Sequence, residues 1–460
     1  MSQDRRVAII GLGYVGLPLA VAFSEAGLEV EGLDAAEPRV RELNNGDSPI
    51  EDISDERLKA ALARGLRVVS PRNAELAKAD AVFVCVPTPI TATKDPDLGP
   101  VLAAGATVRS GLRAGQLIIL QSTTFPGTTN GPFREVIERG GLRAGVDFDL
   151  AFAPERVNPG DPASSSRSVP RLVGGTTAQA TARAATLLRT INESVIELTS
   201  PDAAELAKLL ENVFRNVNIA LVNNLALLCE RMGLDVWEVI DAAATKPFGF
   251  MRFTPGPGVG GHCIPVDPYY LSWRAREFDF IDRFIELAGD INIGMPRHVV
   301  DLTVEALNDR GKSLQGARVG VLGVAFKPNV SDARNSPAAD VIADLVARGA
   351  EVTFHDPHVD TFRDASGATH RGRYLDSVLD GADVVVILVR HLAIDWDRVY
   401  GRARLIVDTV NSSAGRQTRA HQVRRLGAGW STEALNAGPD EAERTTVGAG
   451  RSGTGTTERS

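Results

Sequence analysis

A loop rich in glycine and proline presents a thiol near the middle of the chain. The loop runs over Thr254–Pro268 and contains Cys263. Glycine and proline impose a defined loop and bring backbone N–H groups close to a bound molecule. A thiol presented in this way is typical of covalent chemistry on a carbonyl group. Plainer interpretations remain open: Cys263 as a small buried side chain and Asp267 as only the N-cap of the helix that follows. His262 is either a catalytic base or a packed ring, and we favour the packed ring.

Polar side chains elsewhere in the chain have a spacing that suits a site. Lys208, Asn212 and Arg215 are four and three residues apart in a helical stretch, so they share one helix face, which is either a cleft wall or a solvated surface. We expect Lys208 and the N-terminus of the helix after the thiol to favour the thiolate. Glu155 and Thr123 each follow a strand-like run, and open α/β sheets bind ligands at the carboxyl ends of strands.

A glycine fingerprint follows the first predicted strand. Gly11, Gly13 and Gly16 lie between that strand and a helical run, and Asp34 ends the next strand. The first glycine permits the turn, the second lets a pyrophosphate approach the backbone, and the third allows helix–strand packing. An acid at the end of the second strand accepts the ribose hydroxyls and favours NAD over NADP, although the nearby Arg39 argues the other way.

A second glycine turn occurs in the last third of the chain. Gly320 and Gly323 follow a strand, without a third glycine in register. Lys327 and Arg334 lie near the following strand-to-helix passage, with Asp332 close by. Cationic groups there suit a phosphate-bearing ligand better than a second dinucleotide, and ordinary surface salt bridges are the alternative.

Composition and charge exclude several classes of protein. The 460 residues are 43% hydrophobic, which is enough for two or three buried cores. The net charge of -8 argues against a nucleic-acid or membrane-surface partner. No apolar run approaches the ~20 residues that span a bilayer. The 3 cysteines are too few and too scattered for a disulfide framework or a cysteine zinc site, so we expect a soluble, cytoplasmic protein without a metal.

The pattern of elements predicts the fold that must position these residues. Continuous apolar strands alternate with helices through the first ~200 residues, which predicts a parallel sheet covered on both faces. From Ser200–Pro201 the pattern becomes helical, and a helix of roughly 30 residues spans about 45 Å. A second α/β pattern begins near Ala317. The predicted fold class is α/β, with two Rossmann-like doubly wound domains joined by a long central helix and a helical dimerisation region.

The same pattern divides the chain into four parts. We predict an N-terminal NAD-binding domain, a central helical connector with the thiol loop, a C-terminal Rossmann-like domain that suits a phosphate-bearing ligand, and a tail. Their bounds are 1–199, 200–312, 313–436 and 437–460. The tail is rich in glycine, threonine, arginine and glutamate and cannot bury enough apolar surface to become ordered.

Seven segments, taken in order, resemble the UDP-glucose/GDP-mannose dehydrogenase family over nearly all of residues 5–436. They are GLGYVGLPLA, VCVPTP, STTFPGTT, APERVNPG, KLLENVFRNVNIALVNNLA, PGPGVGGHCIPVDPYYL and FKPNVSDARNSP. Within the family, TKPFGF together with STTFPGTT and PERVNPG is most similar to the branch that acts on UDP-N-acetylglucosamine. UDP-glucose and UDP-N-acetylmannosamine remain open as substrates.

The resemblance implies two NAD-dependent oxidations that convert a sugar C6 alcohol into a carboxylate. Cys263 matches the family's nucleophile, which takes the intermediate aldehyde as a thiohemiacetal. Hydride loss then gives a thioester, and water releases the acid. The resemblance also implies NAD as cofactor, a UDP-sugar as substrate with the C-terminal domain, 313–436, as the UDP-sugar-binding domain, and a homodimer formed through the central helix.

Site residues follow from the same resemblance. Lys208 matches an active-site lysine, Asn212 a partner for oxyanion charge and Asp267 an acid/base. Glu155 matches a carboxylate linked to hydrolysis, and Thr123 a residue that holds water and cofactor. The cofactor contacts match Gly11, Gly13, Tyr14, Val15, Gly16, Asp34, Arg39, Thr88, Thr123 and Arg334. The nucleotide-sugar contacts match Arg156, Val157, Lys208, Asn212, Arg215, Arg252, Gly260, Phe326 and Lys327.

Two other functions, and the role of one carboxylate, remain open. A simple hydroxyacid dehydrogenase needs one hydride transfer and no thiol, so the thiol loop and the second α/β unit argue against it. A non-catalytic nucleotide sensor keeps the glycine loops but has no need of an aligned cysteine, lysine and aspartate. The UDP-glucose branch of the family has a second glutamate where Pro159 stands here, so the carboxylate that assists hydrolysis stays open.

Overall fold

The computed structural model describes residues 5–50, 52–91, 93–157 and 168–431. The predicted tail, 437–460, and Pro159 lie outside these residues. The described residues form two compact units. The first contains those of Met1–Asn224, Gly258–Met295 and Ala325–Pro337, and the second those of Leu225–Pro257, Pro296–Val324 and Ala338–Ser460.

Strands and helices alternate along most of the described chain. The strands are β1 Arg6–Ile10, β2 Glu29–Leu33, β3 Arg67–Val69, β4 Ala81–Val84, β5 Leu117–Leu120, β6 Asp149–Phe152, β7 Arg171–Gly175, β8 Val195–Leu198, β9 Arg318–Leu322, β10 Glu351–His355, β11 Thr361–Arg363, β12 Thr369–Arg371, β13 Val384–Ile387, β14 Ile406–Asp408, β15 Val423–Arg425 and β16 Gly429–Trp430. The α-helices are α1 Gly16–Glu25, α2 Glu37–Asn44, α3 Asp55–Ala63, α4 Gly99–Ser110, α5 Arg134–Glu138, α6 Ala178–Leu188, α7 Pro201–Met232, α8 Val236–Ala244, α9 Asp267–Arg276, α10 Arg283–Asn308, α11 Ala338–Ala347, α12 Leu375–Gly381 and α13 Trp396–Arg402. None of these helices has both the length and the apolar character needed to cross a bilayer.

An eight-stranded sheet forms the centre of the first unit. Its described strands follow the order β3-β2-β1-β4-β5-β6-β7-β8, and only β6 and β7 run antiparallel to each other. All four residues of β5 are buried, because alternate side chains enter the two apolar clusters on opposite faces of the sheet. The carboxyl ends of β1, β4, β5 and β6 therefore meet at one edge, where an open α/β sheet binds its ligands.

The long helix α7 confirms the predicted central helix. Ser200 Oγ accepts a hydrogen bond from the Ala203 N–H at 3.2 Å, and Pro201 occupies the first helical position, where its missing N–H needs no partner. Gly233, directly after the helix, has φ +68°, the left-handed backbone conformation that commonly ends a helix. The 32 residues of α7 span about 48 Å at 1.5 Å each.

The start of α9 differs from the prediction. The sequence indicates a helix from Pro268 with Asp267 as its N-cap, whereas α9 begins at Asp267 and Val266 occupies the cap position without a side-chain hydrogen bond. The Asp267 carboxylate instead accepts a hydrogen bond from the Asn212 amide at 2.6 Å. A charge-assisted bond to a buried amide on another helix has taken the carboxylate away from the cap.

A second α/β arrangement forms the second unit. Its six-stranded sheet follows the order β10-β9-β13-β14-β15-β16, and β11 pairs with β12 as a separate hairpin. Gly323 after β9 has φ +82°, and a Cβ there would lie 2.6 Å from Cβ of Val389, so the turn requires glycine. Two Rossmann-like sheets and a long central helix thus confirm the predicted fold class.

The sequence predicts neither the antiparallel strand β7 nor the hairpin β11–β12. β7 begins with a buried arginine, Arg171, which does not read as an apolar strand end. In β11, Phe362 is the only buried residue, so the segment lacks a continuous apolar run. Residues 325–337, which are predicted to lie in the C-terminal domain, pack within the first unit.

Candidate active site

The glycine loop after β1 has the close approaches that a pyrophosphate site requires. Gly11 has φ +92°, and a Cβ there would lie 2.6 Å from the carbonyl oxygen of Cys85. A Cβ on Gly16, the first residue of α1, would lie 1.8 Å from the Gly11 carbonyl oxygen. Gly13 has nothing within 4 Å of its would-be Cβ. This leaves open space beside the N-terminus of α1, where a phosphate group can be bound.

Asp34 supports this loop from the end of β2. Its two carboxylate oxygens accept backbone N–H bonds from Leu12 at 3.0 Å and Ala36 at 2.9 Å. Each oxygen has a further lone pair, so ribose hydroxyls can still donate to the carboxylate. Arg39 pairs with Glu42 at 3.4 Å, so its charge is shared with an acid rather than offered alone to a 2′-phosphate. The site therefore fits NAD.

A row of polar side chains follows the carboxyl ends of β4, β5 and β6. Cys85 Sγ donates to Gln121 Oε1 at 3.7 Å, and Gln121 Nε2 donates to Glu155 Oε2 at 3.4 Å. The guanidinium of Arg171, which is 2% exposed, donates to the same oxygen of Glu155 at 2.6 Å. Glu155 is therefore anchored by a buried arginine at the ligand edge of the sheet.

The backbone after β6 folds around the other oxygen of the same carboxylate. Glu155 Oε1 accepts N–H bonds from Arg156 at 2.8 Å and Val157 at 3.1 Å. The Arg156 guanidinium donates to Glu211 on α7 at 2.7 Å and to the Pro170 carbonyl at 2.6 Å. Two predicted substrate-binding residues are thus held between the end of β6 and the central helix.

The loop after β5 carries Thr123 and is fixed by a buried acid. Glu205 on α7 accepts hydrogen bonds from the Gly127 N–H at 2.7 Å and from the N–H and hydroxyl of Thr129 at 2.9 and 2.6 Å. Burial raises the pKa of Glu205 to about 7 against these three donors. Thr123 is partly buried in this loop. The loop that carries Thr123 is therefore held by the central helix at Gly127 and Thr129.

The polar face of α7 meets the thiol loop. Asn212 Nδ2 donates to Asp267 Oδ2 at 2.6 Å, and both residues are buried. Lys208 acts electrostatically on Asp267 and Cys263, and Arg215 acts on Cys263. The Cys263 residue is exposed, so a substrate can reach it. The structure therefore brings these five predicted side chains into one site.

The groups around Cys263 shift the pKa of its thiol in opposite directions. Although the residue is reachable, desolvation by the surrounding protein and the Asp267 carboxylate raise the pKa of Cys263 to about 11, against Lys208 and Arg215. The expectation of a stabilised thiolate is therefore wrong, because desolvation and the adjacent acid outweigh the two cations. Burial also raises the pKa of Asp267 to about 7, opposed by Lys208 and Asn212. Asp267, like Glu205, is thus a group whose charge changes near neutral pH.

Residues 325–337 contact the thiol loop closely. A Cβ on Gly260 would lie 2.9 Å from Cδ of Pro337 and 3.0 Å from Cβ of Phe326, so only glycine allows this approach. Lys327 Nζ lies 5.6 Å from the centroid of the Phe326 ring. Three residues predicted to bind the nucleotide sugar, Gly260, Phe326 and Lys327, therefore come together.

Arg334 lies beside the glycine loop. Its guanidinium carbon is 5.4 Å from the centroid of the Tyr14 ring, and its NH2 donates to Asp332 at 2.6 Å. Burial opposes the charge of Asp332, but hydrogen bonds from His262 and Arg334 keep its pKa well below the usual range. The salt bridge that the sequence allowed as an alternative is present, and the phosphate contact stays a prediction.

One predicted substrate contact belongs to the second unit. Arg252 pairs with Asp241 at 2.7 Å within that unit, and both side chains are exposed. Its role toward a nucleotide sugar stays a prediction.

Comparison with known proteins identifies the family. Three domains of the UDP-glucose/GDP-mannose dehydrogenase family match the chain in order: the NAD binding domain over residues 5–192, the central domain over 202–293 and the UDP binding domain over 320–414. The chain belongs to this family. It is therefore a nucleotide-sugar dehydrogenase with NAD as its cofactor, which argues against a simple hydroxyacid dehydrogenase.

Members of this dehydrogenase family with different named substrates match the chain at the same sequence identity. UDP-N-acetyl-D-mannosamine dehydrogenase of Pyrococcus horikoshii is 38% identical over 88% of this chain and 95% of the relative. UDP-N-acetyl-D-glucosamine 6-dehydrogenase of Pseudomonas aeruginosa is 38% identical over 78% of this chain and 84% of the relative. A solved structure of UDP-D-ManNAc dehydrogenase from Pyrococcus horikoshii matches with a TM-score of 0.84 at 36% identity and covers 92% of this chain and 99% of that chain.

The sequence does not predict the contacts of three buried or half-buried side chains in this dehydrogenase. Glu205 reads as an acid that suits a helix N-terminus, yet it holds the loop of Thr123. Arg171 has no signal in the sequence, because a single arginine directly after a proline does not stand out as the first residue of a strand. Asp332 reads as a surface ion-pair partner of Arg334, yet its side chain is only 11% exposed and also contacts the thiol loop.

Proposed function

We propose that this dehydrogenase oxidises the C6 alcohol of UDP-N-acetylglucosamine to a carboxylate through a thioester on Cys263. The observation that carries the proposal is the cluster of Cys263, Asp267 and Asn212 with Lys208 acting on the first two. A single alcohol oxidation needs no thiol. A four-electron oxidation must convert the aldehyde into a tetrahedral adduct that can lose a second hydride, and a thiol makes that adduct.

The first oxidation needs a base and stabilisation of negative charge. Ionised Asp267, whose pKa is about 7, takes the proton of the C6 hydroxyl. The Lys208 ammonium and the Asn212 amide stabilise the developing alkoxide. Bound at the glycine loop beside Asp34, NAD would supply the acceptor for the hydride that leaves C6 in each oxidation.

The second oxidation proceeds through sulfur. The bond between Cys263 Sγ and C6 forms as the thiol loses its proton and the aldehyde oxygen gains one, which gives a thiohemiacetal. Asp267, which has by then released the first proton to water, takes the hydroxyl proton as a hydride leaves C6, and a thioester remains. Because the pKa of Cys263 is about 11, the thiol keeps its proton until the aldehyde is in place.

Hydrolysis completes the reaction. Water adds to the thioester carbonyl, the C–S bond breaks, and the thiol and the sugar carboxylate are formed. We assign Thr123 to hold this water. Both oxygens of Glu155 are engaged by Arg171 and by backbone N–H groups, so we assign Glu155 to orient this edge of the site and Asp267 to transfer the proton.

Cofactor and substrate contacts are proposed on the same positions that the sequence predicts. The cofactor is held by Gly11, Gly13, Tyr14, Val15, Gly16, Asp34, Arg39, Thr88, Thr123 and Arg334. The nucleotide sugar is held by Arg156, Val157, Lys208, Asn212, Arg215, Arg252, Gly260, Phe326 and Lys327. The order of the three matched family domains supports a division into NAD-binding, central and UDP-sugar-binding parts at 1–199, 200–312 and 313–436.

A panel of UDP-sugars tests the choice of substrate. We expect kcat/KM for UDP-N-acetylglucosamine to exceed that for UDP-glucose by at least about 10-fold, because a site built around an acetamido group leaves polar groups unpaired with a hydroxyl. UDP-N-acetylmannosamine is the second candidate, since a relative of that name matches at 38% identity. A preference for it would move the assignment to that sugar, and equal or better use of UDP-glucose would contradict an acetamido substrate.

We also propose a homodimer through the central helix. Within the first unit, α7 exposes a row of apolar side chains at helical spacing: Leu206, Leu210, Phe214 and Leu221. A self-complementary patch of this kind is typical of two-fold dimers. We expect sedimentation equilibrium to show a dimer. Leu210→Glu should dissociate it, whereas the control Val146→Glu, at an exposed residue in a loop, should leave the dimer intact. A monomeric parent protein would contradict the proposal.

A further inference from the structure

The thiol loop rests on residues 325–337, hereafter the strap. A Cβ on Gly261 would lie 3.1 Å from the Phe326 ring, and the Asn335 amide donates to the Gly261 carbonyl at 3.2 Å. The rings of His262 and Phe326 meet edge to face, 6.4 Å apart. The conformation of the residues immediately before Cys263 is therefore set by the strap.

One carboxylate on the strap binds groups on two sides. Asp332 accepts hydrogen bonds from the Arg334 N–H at 3.0 Å and from its guanidinium at 2.9 and 2.6 Å. His262 Nε2 lies 3.1 Å from Asp332 Oδ2 and donates to it. The Asp332 side chain is 11% exposed, whereas those of His262 and Arg334 are 42% and 59% exposed. The acid is thus the least solvated member of the three.

The two groups that Asp332 binds lead to different parts of the site. His262 is joined by one peptide bond to Cys263. The Arg334 guanidinium lies over the ring of Tyr14 in the glycine loop that fits the cofactor pyrophosphate. A continuous chain of contacts therefore runs from the glycine loop through Arg334, Asp332 and His262 to the thiol.

We propose that Asp332 is a positioning residue that holds the thiol loop through His262 and the cofactor-side guanidinium through Arg334. Arginine has many rotamers, and a forked carboxylate contact selects one of them. Without that contact, Arg334 loses its fixed position over Tyr14. Without the bond between Asp332 and His262, the thiol loop still accepts the hydrogen bond from the Asn335 amide but is held less firmly by the strap. The consequence for turnover rests on the proposed function.

Two measurements that need no sugar substrate test the proposal. The first is the rate at which iodoacetamide alkylates Cys263, followed by peptide mass spectrometry. The second is the Kd of NAD from calorimetry. We expect Asp332→Asn to raise the NAD Kd by about 10-fold, which corresponds to the loss of a charged hydrogen bond. We also expect it to speed alkylation several-fold, because the thiol in a loosened loop is less desolvated. His262→Leu should change only alkylation, and Arg334→Met only NAD binding.

Double variants separate positioning from general destabilisation. In a protein that already carries His262→Leu, adding Asp332→Asn should change the alkylation rate by less than about 2-fold. In a protein that already carries Arg334→Met, adding Asp332→Asn should change the NAD Kd by less than about 2-fold. Asp147→Asn is the matched control, because Asp147 also accepts an arginine's backbone N–H and pairs with its guanidinium. It should change neither measurement.

Two results would overturn the proposal: unchanged alkylation and NAD binding in Asp332→Asn, or effects that multiply in the double variants. If Asp332→Asn does not fold, His262→Leu decides the thiol side, where an unchanged alkylation rate contradicts the proposal. A protein that oxidises none of the UDP-sugars but shows these couplings would refute the proposed function alone.

Discussion

Replacing Cys263 with alanine is expected to lower the yield of NADH per UDP-sugar from two towards one in a short assay, and to collapse turnover. The first hydride can leave C6 without sulfur, because Asp267, Lys208 and Asn212 handle the proton and the charge. The second hydride needs a tetrahedral adduct, and without the thiol only the aldehyde hydrate supplies one. The stoichiometry is measured by NADH absorbance against sugar consumed in the same sample.

The control for this variant is Cys229→Ala, which removes a buried thiol on α7 that the mechanism does not use. Its yield should stay at two NADH per sugar. An alanine variant at Cys263 that still forms two NADH at an undiminished rate would show that the thiol is loop packing. The proposed thioester would then be wrong.

Replacing Asp267 with asparagine is expected to lower kcat by about 10²–10⁴-fold, the usual contribution of a general base. Burial raises the pKa of Asp267 to about 7, so the active, ionised form accumulates as the pH rises through that value. The activity of the parent protein should therefore rise with pH across about 7. The asparagine variant should lack this limb, since its side chain does not titrate.

The Asp267→Asn variant should make the Cys263 thiol more reactive even though it lowers kcat. The Asp267 carboxylate raises the pKa of Cys263, so its removal lowers that pKa and increases the thiolate fraction at a given pH. We expect Cys263 to be alkylated faster in Asp267→Asn although kcat falls, and Asp147→Asn to change neither. Slower alkylation would mean that Asp267 activates the thiol, and an unchanged pH profile would remove Asp267 as the base.

The glycine fingerprint could be recognised from the sequence because its requirements are local. A positive φ at Gly11 and a close approach at Gly16 depend on a few adjacent residues and on the strand and helix beside them. β5 and α7 were predictable for a related reason, since a continuous apolar run and a Ser-Pro helix start are written in consecutive residues. The resemblance of seven ordered segments likewise depends on residue order alone, and it led to the family that the comparisons confirm.

The charges and partners of the site were decided by tertiary structure. Whether Asp267 caps a helix or pairs with Asn212, 55 positions earlier, depends on how two helices pack. The direction of the Cys263 pKa shift depends on how much solvent the fold excludes and on the nearest charge, so a helix N-terminus and a lysine in the sequence led to the wrong sign. Glu205 and Asp332 acquired their contacts in the same way. The sequence therefore determined which chemical groups this dehydrogenase possesses, and long-range packing determined which of them are desolvated together, because burial and Coulomb interactions depend on distance in space.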